Sequence, residues 1–234
     1  MNKYLSIIAY DLKNTRRDPT LLLIFWVPFL ILAVVRFGIP LLASYLPVVS
    51  DYYLIIVAFF ALLNAVFPGF ILSFILLDEK DMHLLQVIKI TPVSLSGFLI
   101  ARILFMISFG FLGSLLLIIF NGIVWIPYTH AMALALLCAI NVPILILLIS
   151  TLAKNKIEGL TLLKAATITL VIPSAVLFID AAFENLLAIF PAFWVYRFID
   201  GASHQLVFFF AGLLILSFLN VLCFRFAIRN IQSS

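Results

Sequence analysis

Residues 52–96 read YYLIIVAFFALLNAVFPGFILSFILLDEKDMHLLQVIKITPVSLS, and they decide the fold. From Tyr52 to Leu77 there is no charged residue. A bilayer-spanning helix needs about 20 apolar residues, so this run is long enough to cross a membrane. It carries Asn64 and the pair Pro68-Gly69 inside it. It ends at Asp78-Glu79-Lys80-Asp81, the densest charge cluster in the chain. Acidic residues at a helix N-terminus are favoured by the helix dipole. Met82, Leu84, Leu85 and Ile88 then give an apolar face before the break at Thr91-Pro92. A helix this short cannot span. It either docks into a groove on a soluble partner or is a connecting loop with a solvated charge run.

The composition of the whole chain agrees with that run. Of 234 residues, 66% are hydrophobic and 10% charged, and the mean hydropathy is +1.30. Soluble domains carry roughly 45–50% apolar and about 25% charged residues. With 14 basic and 10 acidic residues, a soluble globule could not cover its surface and also bury 24 Phe. A secreted disulfide scaffold, a disordered chain and a typical cytosolic enzyme are excluded, which leaves an integral membrane protein. Cys138 and Cys223 lie inside apolar runs and read as small apolar side chains.

Five more spans are expected, at about Thr20–Leu42, Gly97–Phe120, Ala131–Leu152, Leu160–Asp180 and Leu206–Ile228. Arg36 lies near the far end of the first and is expected to snorkel to head groups or water. Pro68, Pro143 and Pro173 are expected to bend spans two, four and five. Residues 1–18 have the periodicity of an interfacial helix or form a polar extension of span one. Residues 181–204 are aromatic and split at Pro191 into two pieces, each too short to cross. They suit a re-entrant hairpin or an interfacial loop carrying an aromatic belt. With the N-terminus in the cytoplasm, only Arg36 and Arg197 of the 14 Lys and Arg residues fall outside, leaving 12 inside. The positive-inside rule favours that orientation, with both termini cytoplasmic. The net charge of +4 therefore reflects topology rather than nucleic-acid binding.

Chemistry is scarce. There is no phosphate-cradling P-loop and no G-x-S-x-G, and His83, His130 and His204 have no paired metal-ligand spacing. Asp180 and Glu184 could share a helix face, as a carboxylate pair or a solvated loop face. Polar groups at mid-membrane are few: Asn64, Asn121, Asn141, Thr167, Thr169 and Asn220. Nearly every charge sits near an interface, which argues against ion-driven transport through buried carboxylates.

The acidic start of the first cytoplasmic loop, at Glu79, is followed by Leu85 and by Thr91-Pro92-Val93-Ser94. With six spans and an N-terminal interfacial helix, this resembles the ABC-2-type ABC transporter permeases. Many members have a Gly soon after the Glu, where this chain has Met82-His83. The length and the Pro191-Ala192-Phe193-Trp194 sequence resemble the permeases for drug export of the fluoroquinolone type. The resemblance implies one all-α transmembrane domain over 1–234, with a coupling segment at 78–95. It implies a half-transporter that works with a second permease subunit, identical or not, and two copies of an ATP-binding subunit. ATP and Mg²⁺ would sit on that partner, with no cofactor here. Asp78, Glu79, Lys80, Asp81, Leu84, Leu85, Ile88, Thr91 and Pro92 would meet the ATPase subunit, Glu79 foremost. Phe190, Pro191, Phe193 and Trp194 would line the outer gate. The implied function is export of an amphipathic, drug-like or lipid-like substrate across the bacterial inner or plasma membrane. The other reading is a non-transporting scaffold or immunity-type protein that binds a partner through the same acidic loop.

Overall fold

The computed structural model describes residues 19–82, 94–178, 186–200 and 204–233. All regular structure among them is helical. Six helical stretches are long and apolar enough to cross a membrane: Trp26–Tyr45, Pro47–Asp81, Leu95–Phe120, Tyr128–Leu152, Lys156–Leu177 and Gln205–Asn230. The expected interfacial helix at 1–18 and the first arm of the expected hairpin, through residue 185, lie outside the described residues.

Span one is α1 (Pro19–Ala33), a π-helical turn over Val34–Gly38, and α2 (Ile39–Tyr45). A 3₁₀ turn over Pro47–Tyr52 leads into α3 (Tyr53–Asp81). Then follow α4 (Leu95–Phe120), α5 (Tyr128–Ile140), α6 (Val142–Leu152) and α7 (Lys156–Val171). A short helix α8 (Phe193–Asp200) precedes α9 (Gln205–Ser233).

Helix α3 is the hub, packing against α1, α4, α5, α6, α7 and α8. Several of its buried positions are small, among them Ala58, Ala61, Ala65 and Gly69. Lipid tails are as apolar as leucine, so helices in a bilayer associate through close backbone approach and interhelical hydrogen bonds. Both occur here. Gly110 of α4 lies against the Ala65 carbonyl, where an added Cβ would come within 2.5 Å of the oxygen. Buried Asn64 donates from Nδ2 to the Gly113 carbonyl at 2.9 Å.

The prolines act differently from one another. Helix α3 runs uninterrupted past Pro68. Span four breaks at Asn141, two residues before Pro143. Pro143 has no N–H, so the ladder cannot continue there. Asn141 Nδ2 turns back to the Leu137 carbonyl at 2.7 Å, and Asn220 Nδ2 of α9 reaches the Ile140 carbonyl at 2.9 Å. Side chains thus re-satisfy the backbone that the break frees. At Pro173 span five tightens into a 3₁₀ turn over Ile172–Leu177. Arg36 is exposed, as expected of a snorkelling side chain, but its guanidinium has a protein partner. Nη1 donates to the Phe120 carbonyl at 2.8 Å, at the C-terminal end of α4. A cation there satisfies an orphan carbonyl and complements the helix dipole.

Candidate functional site

The last turn of α3 distributes four consecutive charged residues in different directions, because successive helical positions are about 100° apart. Asp78 Oδ1 lies 2.7 Å from Lys156 Nζ at the start of α7. Glu79 Oε2 accepts from Arg102 Nη1 of α4 at 2.6 Å. Lys80 Nζ donates to the Ala153 carbonyl in the α6–α7 connector at 3.4 Å. Asp81 is exposed and makes no ion pair among the described residues. Leu84, Leu85, Ile88, Thr91 and Pro92 lie outside the described residues.

These contacts gather the ends of four helices. The connector between α6 and α7 is itself closed by two side-chain bonds that resemble a capping box, shifted by one residue at the carboxylate. Asn155 Oδ1 accepts from Glu158 N at 2.9 Å, while Glu158 Oε2 accepts from Lys154 N at 2.8 Å. At the far side of the loop from α3, Ser94 Oγ caps α4 by accepting from Gly97 N at 3.2 Å.

The Glu79–Arg102 pair differs from its neighbours in burial. The Arg102 side chain is 6% exposed and that of Glu79 15%, whereas Lys156 and Asp78 are 56% and 37% exposed. Surface pairs of the second kind contribute about 0–1 kcal/mol. The first kind leaves a strongly unfavourable charge if one partner is removed. Arg102 also stacks its guanidinium over the Phe98 ring, 4.2 Å from the centroid. It thereby fixes two turns of α4 to the end of α3. The sequence reading set Glu79 against the basic groove of a partner. In the structure that carboxylate is paired with Arg102 of α4 and is 15% exposed.

The opposite end of the bundle holds α8. Trp194 packs against Gly212 of α9, where an added Cβ would meet Trp194 Cβ at 3.0 Å. Tyr196 is fully buried and donates to the Leu170 carbonyl at 3.0 Å. Phe198 stacks with His130 near the start of α5 and with Phe209 near the start of α9, at centroid distances of 6.2 and 6.1 Å. Trp194 therefore lies deeper in the bundle than Phe198. Phe193 and Trp194 are buried, while Phe190 and Pro191 are partly exposed. A recess of about 520 Å³ opens beside them, lined by His130, Phe198, His204, Gln205 and Phe209 among others. None of the four expected gate residues lines it. Among the described residues, no three His, Cys, Asp or Glu side chains gather closely enough to hold a metal ion.

The family model described as "Fluoroquinolones export permease protein Rv2686c-like" matches residues 11–226, nearly the whole chain. The chain belongs to this family. Two curated relatives, the fluoroquinolones export permease proteins MT2760 and Rv2686c, come from two strains of Mycobacterium tuberculosis. Each is 25% identical over 196 residues, covering 79% of this chain and 76% of the relative. No solved structure matches the chain. This member of the Rv2686c-like export permeases is thus a multi-pass membrane protein with a charged clasp at one end.

Two of the clasp's residues in this permease, Arg102 and Lys156, were not among the residues singled out from sequence. A signal for Arg102 existed. It lies seven residues inside α4, roughly 10 Å along the helix. A cation at that depth needs a counter-charge, and the preceding span ends in acids.

Proposed function

We propose that the chain is the transmembrane permease subunit of an ATP-driven exporter, powered by two copies of a separate ATP-binding subunit that carry ATP and Mg²⁺. The observation that carries this reading is the clasp, together with membership of an export permease family. Asp78, Glu79 and Lys80 tie the end of α3 to α4 and to the α6–α7 connector. A force applied to the loop between α3 and α4 is therefore delivered to four helices at once. Asp81 and Met82 project from the base of that loop, both exposed. Asp81, rather than Glu79, is the described carboxylate available to a basic groove on the ATP-binding subunit. The cargo is an amphipathic molecule with an aromatic body, as the relatives' name and the aromatic recess at the opposite end both suggest. A second permease subunit completes the pathway.

The test is co-expression with an ATP-binding subunit encoded beside this chain's gene, followed by transport in inverted vesicles. Co-purification and ATP-dependent accumulation of a fluorescent fluoroquinolone are expected. Asp81→Lys should lower both while leaving the permease in the membrane. Absence of any ATP-binding partner and of ATP-dependent accumulation would favour the scaffold reading.

Orientation follows from charge. Both termini and the clasp face the cytoplasm, on the 12-to-2 division of basic residues. Single cysteines at Ser50 and Thr129, in a background lacking Cys138 and Cys223, should react with an impermeant thiol reagent added outside whole cells. Cysteines at Asn155 and Asn230 should not. The reverse pattern would overturn this topology.

A further inference from the structure

Between α4 and α9, with α6 as its floor, lies an open groove of about 300 Å³. Its walls are almost wholly apolar, with Ile103 and Leu104 on one side, Val221 and Phe224 on the other, and Pro143 and Leu147 below. It lies in the half of the bundle nearer the clasp. Leu104 is nine residues from the start of α4, roughly 14 Å along the helix. The groove lies beside the break at Asn141, with Ile140 and Pro143 in its lining, where Asn220 of α9 is bonded to the end of α5.

The rim of the groove is basic. Arg225 follows Phe224 directly and lies one turn beyond Val221 on the same face of α9. Arg229 lies one turn further on. Both are exposed, and neither makes a hydrogen bond or ion pair among the described residues. Their depth along α9 puts the guanidinium groups beyond the apolar groove, at the level of lipid head groups. An apolar slot, rimmed by two exposed cations that have no ion pair among the described residues, is complementary to one kind of molecule. Basic pockets between helices on the cytoplasmic side recognise anionic head groups.

We propose that this groove binds one acyl chain of an anionic phospholipid of the cytoplasmic leaflet, with its phosphate held by Arg225 and Arg229. The site does not depend on the transported substrate or on the ATP-binding partner. A lipid seated there would fill the gap between α4 and α9 and brace α9 beside the clasp.

The test uses the full chain in vesicles, with Trp26, Trp125 and Trp194 replaced by Phe and a single reporter, Phe224→Trp. Quenching by brominated phosphatidylglycerol is compared with quenching by brominated phosphatidylcholine. Phosphatidylglycerol should bind more tightly at this reporter, by about five-fold for each basic residue that holds it. Arg225→Gln should lower the preference about five-fold, leaving the share of Arg229, and Arg225→Lys should keep it. A control reporter at exposed Leu214, in the other half of α9, should show no preference. The same lack of preference at position 224 would overturn the proposal, because the groove would then be ordinary annular surface. Failure of either lipid to quench at 224 would overturn it too, showing the groove covered by protein, such as a second copy of the chain. If the Trp194 replacement prevents folding, lipid retained by the wild-type chain and by Arg225→Gln, counted by native mass spectrometry from mixed vesicles, gives the same comparison.

Discussion

Arg102→Met is expected to destabilise the folded permease by about 3–5 kcal/mol, the range for removing one member of a buried ion pair. Glu79 then stays in a site where 15% of its side chain meets solvent, with no guanidinium to accept from. The cost comes from the stranded charge and not from the lost attraction, because a buried pair as a whole is close to neutral against an apolar pair of the same shape. The double variant Glu79→Gln, Arg102→Met should therefore recover most of the loss. Thermal unfolding in detergent, read by intrinsic fluorescence, gives both values. Coupling separates the functional role from stability. If the pair transmits force from the loop to α4, the double variant should fold well and still hydrolyse ATP without matching export. Normal export per ATP in that variant would limit the pair to holding the helices together.

The spans were legible in the sequence because the bilayer imposes a length and a composition on any crossing segment. The run Tyr52–Leu77 reappears as α3, which extends four residues further, through Asp81, because the charged turn stays helical. Span four was read as one helix from Ala131 to Leu152, and Pro143 within it was expected to bend it. The break does fall there. Pro68, of the same residue type, interrupts nothing. Local sequence cannot tell the two apart, because the difference lies in what the neighbours supply. Asn220 reaches the Ile140 carbonyl from 80 positions away.

The clasp was half legible for the same reason. Its acids were visible as a cluster and the depth of Arg102 asked for a counter-charge, but which acid meets which cation was not legible, because Lys156 and Arg102 belong to other helices. Arg36 shows the same limit. Its depth near one interface could be read from its position in span one, but not its bond to the Phe120 carbonyl, 84 positions on. The aromatic segment after Pro191 was recognised as non-spanning, and α8 is eight residues long. Which of its rings face the recess depends on how α8 is rotated against α5 and α9. That rotation sets Phe198 at the recess and buries Phe193 and Trp194.

Gly110→Ala should prevent assembly of the bundle, although it adds a single methyl group. The new Cβ would lie 2.5 Å from the Ala65 carbonyl oxygen and 3.2 Å from Val142 Cγ2. The first contact is to backbone inside the hub helix, so no side-chain rotation relieves it. Helices α3 and α4 must separate, and Asn64 would then lose its hold on the Gly113 carbonyl, now 2.9 Å away. Overpacking of this kind costs about 1–3 kcal/mol when a core can adjust, and here the buried Asn64 amide is also left with only its longer bond to the Pro28 carbonyl, at 3.5 Å, a further cost of about 1 kcal/mol. Gly113→Ala is the matched control one turn along the same helix. Its Cβ would meet Asn64 alone, at Oδ1, Cγ and the backbone oxygen, none nearer than 3.5 Å, which are ordinary contacts. Replacing a helical glycine with alanine also contributes about 0.5–1 kcal/mol in favour of the helix. Size-exclusion profiles of fluorescent-tagged protein should show a monodisperse peak for Gly113→Ala and aggregated or degraded material for Gly110→Ala. If the two behave alike, the close approach of α3 and α4 is not what holds the hub together. The interhelical bond from Asn64 would then be the contact to remove next, by Asn64→Leu.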